Sequence, residues 1–274
     1  MNIFEVDRNT CNRDGICVES CPSGLIEMKD GGYPSPVAEA EEVCIRCGHC
    51  VAVCPTGSMK HRVVKLEKCL PINKDLMITP EQCEQFLKAR RSGRAFKKKT
   101  IPQGDFAGLI DTARFAPTGH NSQGVEWLVI ADHEELHKLS GLTVDWMRTI
   151  IRDNPKLAAE LFLERGIGRW EQGIDIILRD APALVITHAP KESRIAPMDC
   201  VIALTYFELT AFSMGLCGCW AGYFRSATAN YPPLAEALRL PDGNQCFGAM
   251  MVGYPKFSFR RIPTRKPPKV TWRL

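Results

Sequence analysis

Cys44-Ile45-Arg46-Cys47-Gly48-His49-Cys50-Val51-Ala52-Val53-Cys54-Pro55 is a complete C-x2-C-x2-C-x3-C-P run. Four thiolates at this spacing suit a cubane iron–sulfur cluster, and the proline turns the chain away after the last cysteine. An incomplete copy stands upstream as Cys11, Asp14, Cys17, Cys21 and Pro22. The flanks repeat too: Cys21-Pro22-Ser23-Gly24-Leu25 answers Cys54-Pro55-Thr56-Gly57-Ser58. Two such runs imply two clusters and a protein that moves electrons. The competing reading is zinc, because C-x2-C pairs also bind that ion.

Seven of the 13 cysteines in this 274-residue chain lie in the two runs. The others are Cys69, Cys83, Cys200, Cys217, Cys219 and Cys246. The opening residues, MNIFEVDRNT, lack the basic-then-apolar plan of a signal peptide. A cytoplasmic location with free or metal-bound thiols is therefore expected, rather than a disulfide framework. No stretch of about 18 apolar residues occurs, so no membrane association is expected. Hydrophobic content of 45% and charged content of 24% suit a globular chain with a sizeable core.

The net charge of +4 hides an asymmetry. Residues 1–60 hold five Lys/Arg against nine Asp/Glu, a net of −4, which leaves +8 on residues 61–274. An acidic module beside a basic body suits mutual docking, an acidic donor protein or anionic ligands. Nucleic acid is not expected, since the basic residues do not interleave with aromatics in any run.

Residues 1–60 are too short and too rich in Cys, Gly and Pro to build much core, so clusters would staple them. Residues 61–79 read as a connector, with Pro71 as a break. A second domain is expected over 80–274. Thr79-Pro80-Glu81-Gln82 has the form of a helix N-cap followed by proline at the first helical position, and that helix should reach about Arg91. Another helix is expected over 103–115. Trp127–Ala131 (WLVIA), Ala183–Thr187 (ALVIT) and Phe247–Val252 (FGAMMV) read as buried strands. Residues 133–180 read as mostly helical. Pro197–Met214 reads as a helix apolar on most faces and hence central. Strands separated by pairs of helices predict an α+β fold. The basic, proline-rich tail should run extended.

Three segments of the second domain resemble parts of one pocket. Arg90-Arg91-Ser92-Gly93-Arg94 offers guanidiniums and a hydroxyl suited to a phosphate, although a cationic helix end also answers the helix dipole. Ala116-Pro117-Thr118-Gly119-His120-Asn121-Ser122-Gln123 offers small polar groups to a flat heterocycle, or is an ordinary loop. Gly215-Leu216-Cys217-Gly218-Cys219-Trp220-Ala221-Gly222-Tyr223 holds a C-x-C pair, read as buried thiols beside a glycine turn. Val252-Gly253-Tyr254-Pro255 and the basic tail follow.

The first 57 or so residues resemble bacterial-type two-cluster ferredoxins. That resemblance assigns Cys44, Cys47, Cys50 and Cys21 to one cluster, and Cys11, Cys17 and Cys54 to the other. Asp14 stands where the family usually has a cysteine. It either completes the second cube as a hard oxygen ligand, with a three-iron cluster as the alternative product, or forms an Asp-Gly turn. From about residue 80 onward the chain resembles the nitroreductase family, through the RRS-x-R start, the AP-T-x-x-NSQ loop, the GL-x-x-CW segment and the late GYP. This resemblance implies an α+β sheet–helix sandwich, a homodimer and FMN at its interface. It assigns Arg90, Arg91, Ser92 and Arg94 to the FMN phosphate and ribityl side, and Pro117, Thr118 and Asn121 to FMN from the partner subunit. Backbone around Ala221 and Gly222 would approach the flavin ring. Arg265 would close on the phosphate, with Arg261 as its competitor. The whole layout looks like a ferredoxin–nitroreductase fusion.

The expected activity is oxidoreduction. Electrons from a low-potential donor would pass through two 4Fe-4S clusters to FMN and then to a small organic acceptor such as a nitro compound or quinone. A ferredoxin-type protein and NAD(P)H are both candidate donors. Other readings are a non-catalytic flavin/iron–sulfur relay or redox sensor, and a specialised ene-reductase or dehalogenase on the same scaffold. Trp146, Phe162, Arg165 and Trp170 are candidates to line the acceptor side or the core. His120 and His188 are candidates for ligand contact or for structural work.

Overall fold

The computed structural model describes residues 2–274. Two compact units emerge, one comprising the chain up to Met77 with His120–Ser122, the other comprising Ile78–Gly119 and Gln123–Leu274.

The first unit holds, in order, β1 (Phe4–Val6), α1 (Ile16–Glu19), β2 (Ile26–Glu27), β3 (Ser35–Pro36), α2 (Ala40–Val43), α3 (His49–Ala52) and β4 (Met59–His61). Two antiparallel ribbons result: β1 with β4, where Phe4 faces His61, and β2 with β3, where Ile26 faces Pro36. The sequence repeat is also a backbone repeat. Gly15 and Gly48 take φ of 74° and 76° just before α1 and α3, and Arg13 and Arg46 take φ of 59° and 56°. A left-handed glycine is what lets each chain double back sharply enough to start a one-turn helix. Asp14 and Cys47 therefore occupy equivalent places in the two halves. The apolar core is small, built on Ile3, Phe4, Leu25, Ile26, Val51 and Met59 with cysteines packed around it. His61, inside the stretch that reads as a connector, is a buried member of β4.

The second unit begins at α4 (Pro80–Ala89) and continues through α5 (Gln103–Ala113), β5 (Glu126–Ile130), α6 (His133–Asp153), α7 (Pro155–Glu160) and α8 (Leu163–Glu171). It ends with β6 (Ala183–Pro190), α9 (Ala196–Ser213), β7 (Cys217–Trp220), α10 (Gly222–Asn230), α11 (Pro232–Ala237) and β8 (Asn244–Gly253). α4 starts where the sequence places it: Thr79 Oγ1 accepts from Gln82 N at 3.2 Å and Gln82 Oε1 from Thr79 N at 2.9 Å, a reciprocal capping box.

One antiparallel sheet in the order β5-β6-β8-β7 organises this unit. Its two faces are both covered. Leu184, Ile186, Ala249 and Met251 pack into a core with residues of α6, α8 and α10. Their alternates Ala183, Val185, Met250 and Val252 pack against Leu109 of α5 and Leu204 and Phe207 of α9. Burial on both faces explains why β6 reads as an unbroken apolar run instead of an alternating one. The class is α+β, a helix–sheet–helix sandwich.

The C-x-C thiols are buried beside the glycine turn at Gly215, and they lie in strand β7, which pairs with β8 from Cys217–Gly253 to Trp220–Met250. One reading of local structure needs correction. α9 is only partly central: Cys200, Leu204, Phe207 and Ala211 are buried, while Met198, Val201 and Tyr206 are exposed. Residues 256–274 form no helix or strand and are exposed. Among the described residues, no helix is long and apolar enough to cross a membrane.

Candidate functional site

The cysteines of the first unit line two cavities. One is bordered by Cys44, Cys47 and Cys50 together with Cys21 from the other run. The second is bordered by Cys11, Asp14 and Cys17 together with Cys54. Each cavity thus takes three positions from one run and a fourth from its repeat. Among the described residues, no three His, Cys, Asp or Glu side chains converge on a single ion position. Ringed cavities fit the cube.

The surroundings of the sulfurs fit it as well. Leu25 N donates to Cys21 Sγ at 3.3 Å, and Arg46 N donates to Cys44 Sγ at 3.4 Å. Burial, reinforced by the neighbouring Cys47, pushes the Cys50 thiol up to about 11. An ionised sulfur there is costly unless a cation compensates it, which is what iron does for a thiolate. Burial also acts to raise Cys54, but the Thr56 hydroxyl and the backbone N–H groups of Met59, Thr56 and Ser58 outweigh it and leave Cys54 lowered. Asp14 is exposed on the rim of its cavity, and its Oδ1 accepts from Ile16 N at 3.2 Å. The Asp-Gly turn is therefore present, and the carboxylate still borders the cavity.

The second unit carries a cavity of ≈ 340 Å³ whose walls include Arg94, Trp146, Arg179, Cys219, Gly222 and Tyr223. That volume lies in the range of small-ligand and cofactor pockets. Its position follows from local structure. Gly93 N donates to Gly218 O at 2.9 Å, which lays the Arg-rich segment along β7. Such proximity needs glycine: a Cβ on Gly93 would stand 2.2 Å from Cys217 Sγ. Just after β7, Ala221 N donates to Ala249 O at 2.9 Å and the chain enters α10 at Gly222. A Cβ on Gly222 would meet nothing within 4 Å. Burial pushes the Cys219 thiol up, while Arg94, Arg179 and the Ser92 hydroxyl act to lower it. Arg94 and Gly222 thus line one cavity, with the Ser92 hydroxyl acting on Cys219 of its wall.

The remaining expected residues are placed differently. Arg90 Nη1 donates to Glu208 Oε1 at 2.7 Å, so part of this guanidinium neutralises a buried carboxylate of α9. Arg91 is half-buried. Pro117 is exposed, and Thr118 Oγ1 accepts from Gln123 N at 3.0 Å. Asn121 Nδ2 donates to the carbonyls of Ile45 and Arg46 at 3.1 and 3.2 Å. Its loop is strained, with φ of 52°, 53° and 49° at His120, Asn121 and Gln123. Arg261 and Arg265 lie on the exposed tail. Of the four candidates in the helical region, Trp146 is buried and borders the cavity, Phe162 and Arg165 are exposed, and Trp170 stacks on His137 at 4.7 Å. His188 is a packing residue of β6 whose Nδ1 lies 3.0 Å from Asn244 Nδ2.

Two residues escaped the sequence reading. Arg179 has no motif around it. It is presented to the cavity by a loop in which Asp175 accepts from Ser140 Oγ at 2.9 Å and from Ile177 N at 2.8 Å. The loop closes with Arg179 and Asp180 at φ of 58° and 50°. His61 lies inside the segment read as a connector, yet it borders the cavity of Cys44 and approaches that sulfur. A lone histidine at the end of a three-residue strand gives no periodic signal.

Comparison with known proteins agrees with this layout. Residues 87–254 match the nitroreductase family and residues 9–59 match a 4Fe-4S dicluster domain. The chain belongs to the nitroreductase family, as an oxidoreductase with an N-terminal 4Fe-4S dicluster domain. It is 24% identical over 180 residues to a putative NADH dehydrogenase/NAD(P)H nitroreductase of Archaeoglobus fulgidus, covering 64% of this chain and 87% of that one. In fold it is similar to a nitroreductase with bound FMN from Bacteroides fragilis (TM-score 0.56, 23% identity, 69% of this chain and 97% of that one). It is equally similar to an FMN-bound nitroreductase from Desulfitobacterium hafniense (TM-score 0.56, 19% identity, 72% and 99%).

Proposed function

We propose that this protein takes electrons one at a time from a low-potential donor at two 4Fe-4S clusters and delivers them through FMN to a small organic acceptor, a nitro compound or quinone. The observation that carries this reading is the crossed cysteine sets. Three positions of each run share a cavity with one cysteine of the other, the arrangement that a two-cluster module requires. When bound, the clusters carry single electrons and the flavin pairs them for organic chemistry.

Within the first unit, Cys21, Cys44, Cys47 and Cys50 hold one cluster. Cys11, Cys17 and Cys54 hold the other, and Asp14 completes it. The equivalence of Asp14 to Cys47 in the backbone repeat supports that role. A carboxylate is a harder ligand than a thiolate, so iron at this corner is the more easily lost. Within the second unit, Arg94 and Arg179 supply forked cationic donors to an anionic cofactor and Ser92 adds a hydroxyl. Gly222 keeps its wall open for close approach of a flat ring. Arg90 and Arg91 stand behind them, with Glu208 fixing Arg90. Pro117, Thr118 and Asn121 serve the site of a partner subunit in a homodimer, and Arg265 closes over the phosphate. The exposed apolar face of α9, with Met198, Val201 and Tyr206, supports such pairing.

Anaerobic purification with iron, sulfide and flavin quantified, followed by a screen of nitroarenes, quinones and activated alkenes, tests the reading. Expected are about two clusters and one FMN per chain, a three-iron EPR signal on mild oxidation, and rapid reoxidation by at least one acceptor class. Protein that contains cofactors but reoxidises with no small acceptor would instead be an electron relay.

A further inference from the structure

His61 is fixed at both ends of its ring. It is buried in β4 opposite Phe4 and borders the cavity of Cys21, Cys44, Cys47 and Cys50. Its Nδ1 accepts two backbone hydrogen bonds, from Val63 N at 3.1 Å and Val64 N at 3.0 Å. A nitrogen that receives two N–H groups has no room for its own proton, so the ring proton must reside on Nε2. Nε2 lies 3.7 Å from Cys44 Sγ, within reach of an N–H···S contact. The turn after β4 thus sets the tautomer, and the tautomer points a donor at the sulfur.

We infer that His61 is a positioning residue for the cluster held by Cys44, donating its Nε2–H to the ligand sulfur and holding that cluster at a higher reduction potential than it would otherwise have. Reduction adds negative charge to the cluster and its sulfurs. A donor aimed at a sulfur therefore stabilises the reduced form more than the oxidised form. A neutral imidazole does this without adding a buried charge. Backbone N–H groups already serve Cys21 and Cys44 in this way, and His61 adds an imidazole donor to their cluster, while Cys54 of the other lies 3.6 Å from the Thr56 hydroxyl. Among the described residues, the cavity of Cys11, Cys17 and Cys54 has no histidine on its walls. His61 therefore raises the potential of the Cys44 cluster without acting on the other. Outer-shell partners of this kind are a general means of tuning metal centres.

This inference rests on Cys44 being a cluster ligand, so iron and sulfide content of the wild-type holoprotein is measured first. Absence of clusters defeats that assignment, and clusters with unmoved potentials defeat only the role of His61. The test is an EPR-monitored redox titration of full-length wild-type, His61→Phe and His61→Gln proteins. Phenylalanine keeps the bulk and removes the donor, and glutamine restores an N–H. In His61→Phe one cluster should become harder to reduce by about tenfold, ~59 mV for a one-electron couple, while the other stays unchanged. His61→Gln should recover part of that shift. Unchanged potentials, or an equal shift of both clusters, would overturn the inference. Should the variants fail to retain iron, pulsed EPR on reduced, 15N-histidine-labelled His49→Gln protein decides. That background removes His49, which lines the same cavity. A weak coupling to one non-ligating imidazole supports the hydrogen bond, and its absence overturns it.

Discussion

Two arginines separated by four positions do different work. Arg90 is held by Glu208, whose carboxylate is buried in α9. Removing one partner of a buried pair leaves the other uncompensated, which is costlier than the pair was beneficial. Arg94 has no such obligation and borders the cavity. Arg90→Ala should therefore lower the stability of flavin-free protein by about 2 kcal/mol, moderated by the partial exposure of Arg90. Arg94→Ala should leave flavin-free stability within about 0.5 kcal/mol and lower flavin retention about tenfold or more. Denaturant melts of apoprotein and flavin titration of each variant separate the two effects, and equal loss of stability in both would refute the division of labour. At this scale the gathering of the cysteines around two cavities was legible from their spacing. Arg179 and His61 were not, because loops and a strand pairing bring them to their cavities, and neither leaves a local pattern.

β7 shows how an element can hide in a sequence. Cys217-Gly218-Cys219-Trp220 is short and contains a glycine, so nothing in it marks a strand. Its strand character comes from pairing with β8 and from Gly93 docking on its free side. Gly93→Ala would force a Cβ into contact with Cys217 Sγ at 2.2 Å. Overpacking of this kind costs about 1–3 kcal/mol, so the melting temperature should fall by roughly 3–10 °C. A variant that melts like wild type would show that this segment is not docked on β7. Farther along the sheet, burial holds the His188 imidazole below the usual histidine range, despite the opposing pull of Glu126. In that situation the unfolded chain binds the proton more readily than the folded one. The contribution is whole above about pH 6.5 and is lost as pH falls through the depressed folded value. Thermal melts of holoprotein should be level from pH 8 to about 6.5 and decline below it, and His188→Asn should flatten that decline. The long strands β6 and β8 and helices α4, α5 and α9 were legible because apolar runs, caps and length mark them. The exposed flank of α9 was not, because composition alone cannot tell a covered face from an uncovered one.

Across the whole molecule, the chain joins a module with a small core to one whose sheet has a core on each face. Among the described residues, eight buried ones anchor the first unit's core, whereas the second unit's sheet is packed on both faces. Unit one should accordingly lose its structure when iron is removed, while the sheet unit persists. The two-part organisation was legible from the cysteine runs and the charge asymmetry. The exact extent of each part was not, because residues 62–78 carry only short turns and no apolar period. The central claim is that electrons delivered at the clusters reach the flavin. Anaerobic stopped-flow mixing of full-length holoprotein with reduced ethyl viologen, without NAD(P)H, tests it most directly. Flavin bleaching should follow cluster reduction in wild type and slow at least tenfold in a Cys47→Ala variant that retains its flavin. Equal bleaching rates in the two proteins would contradict the account.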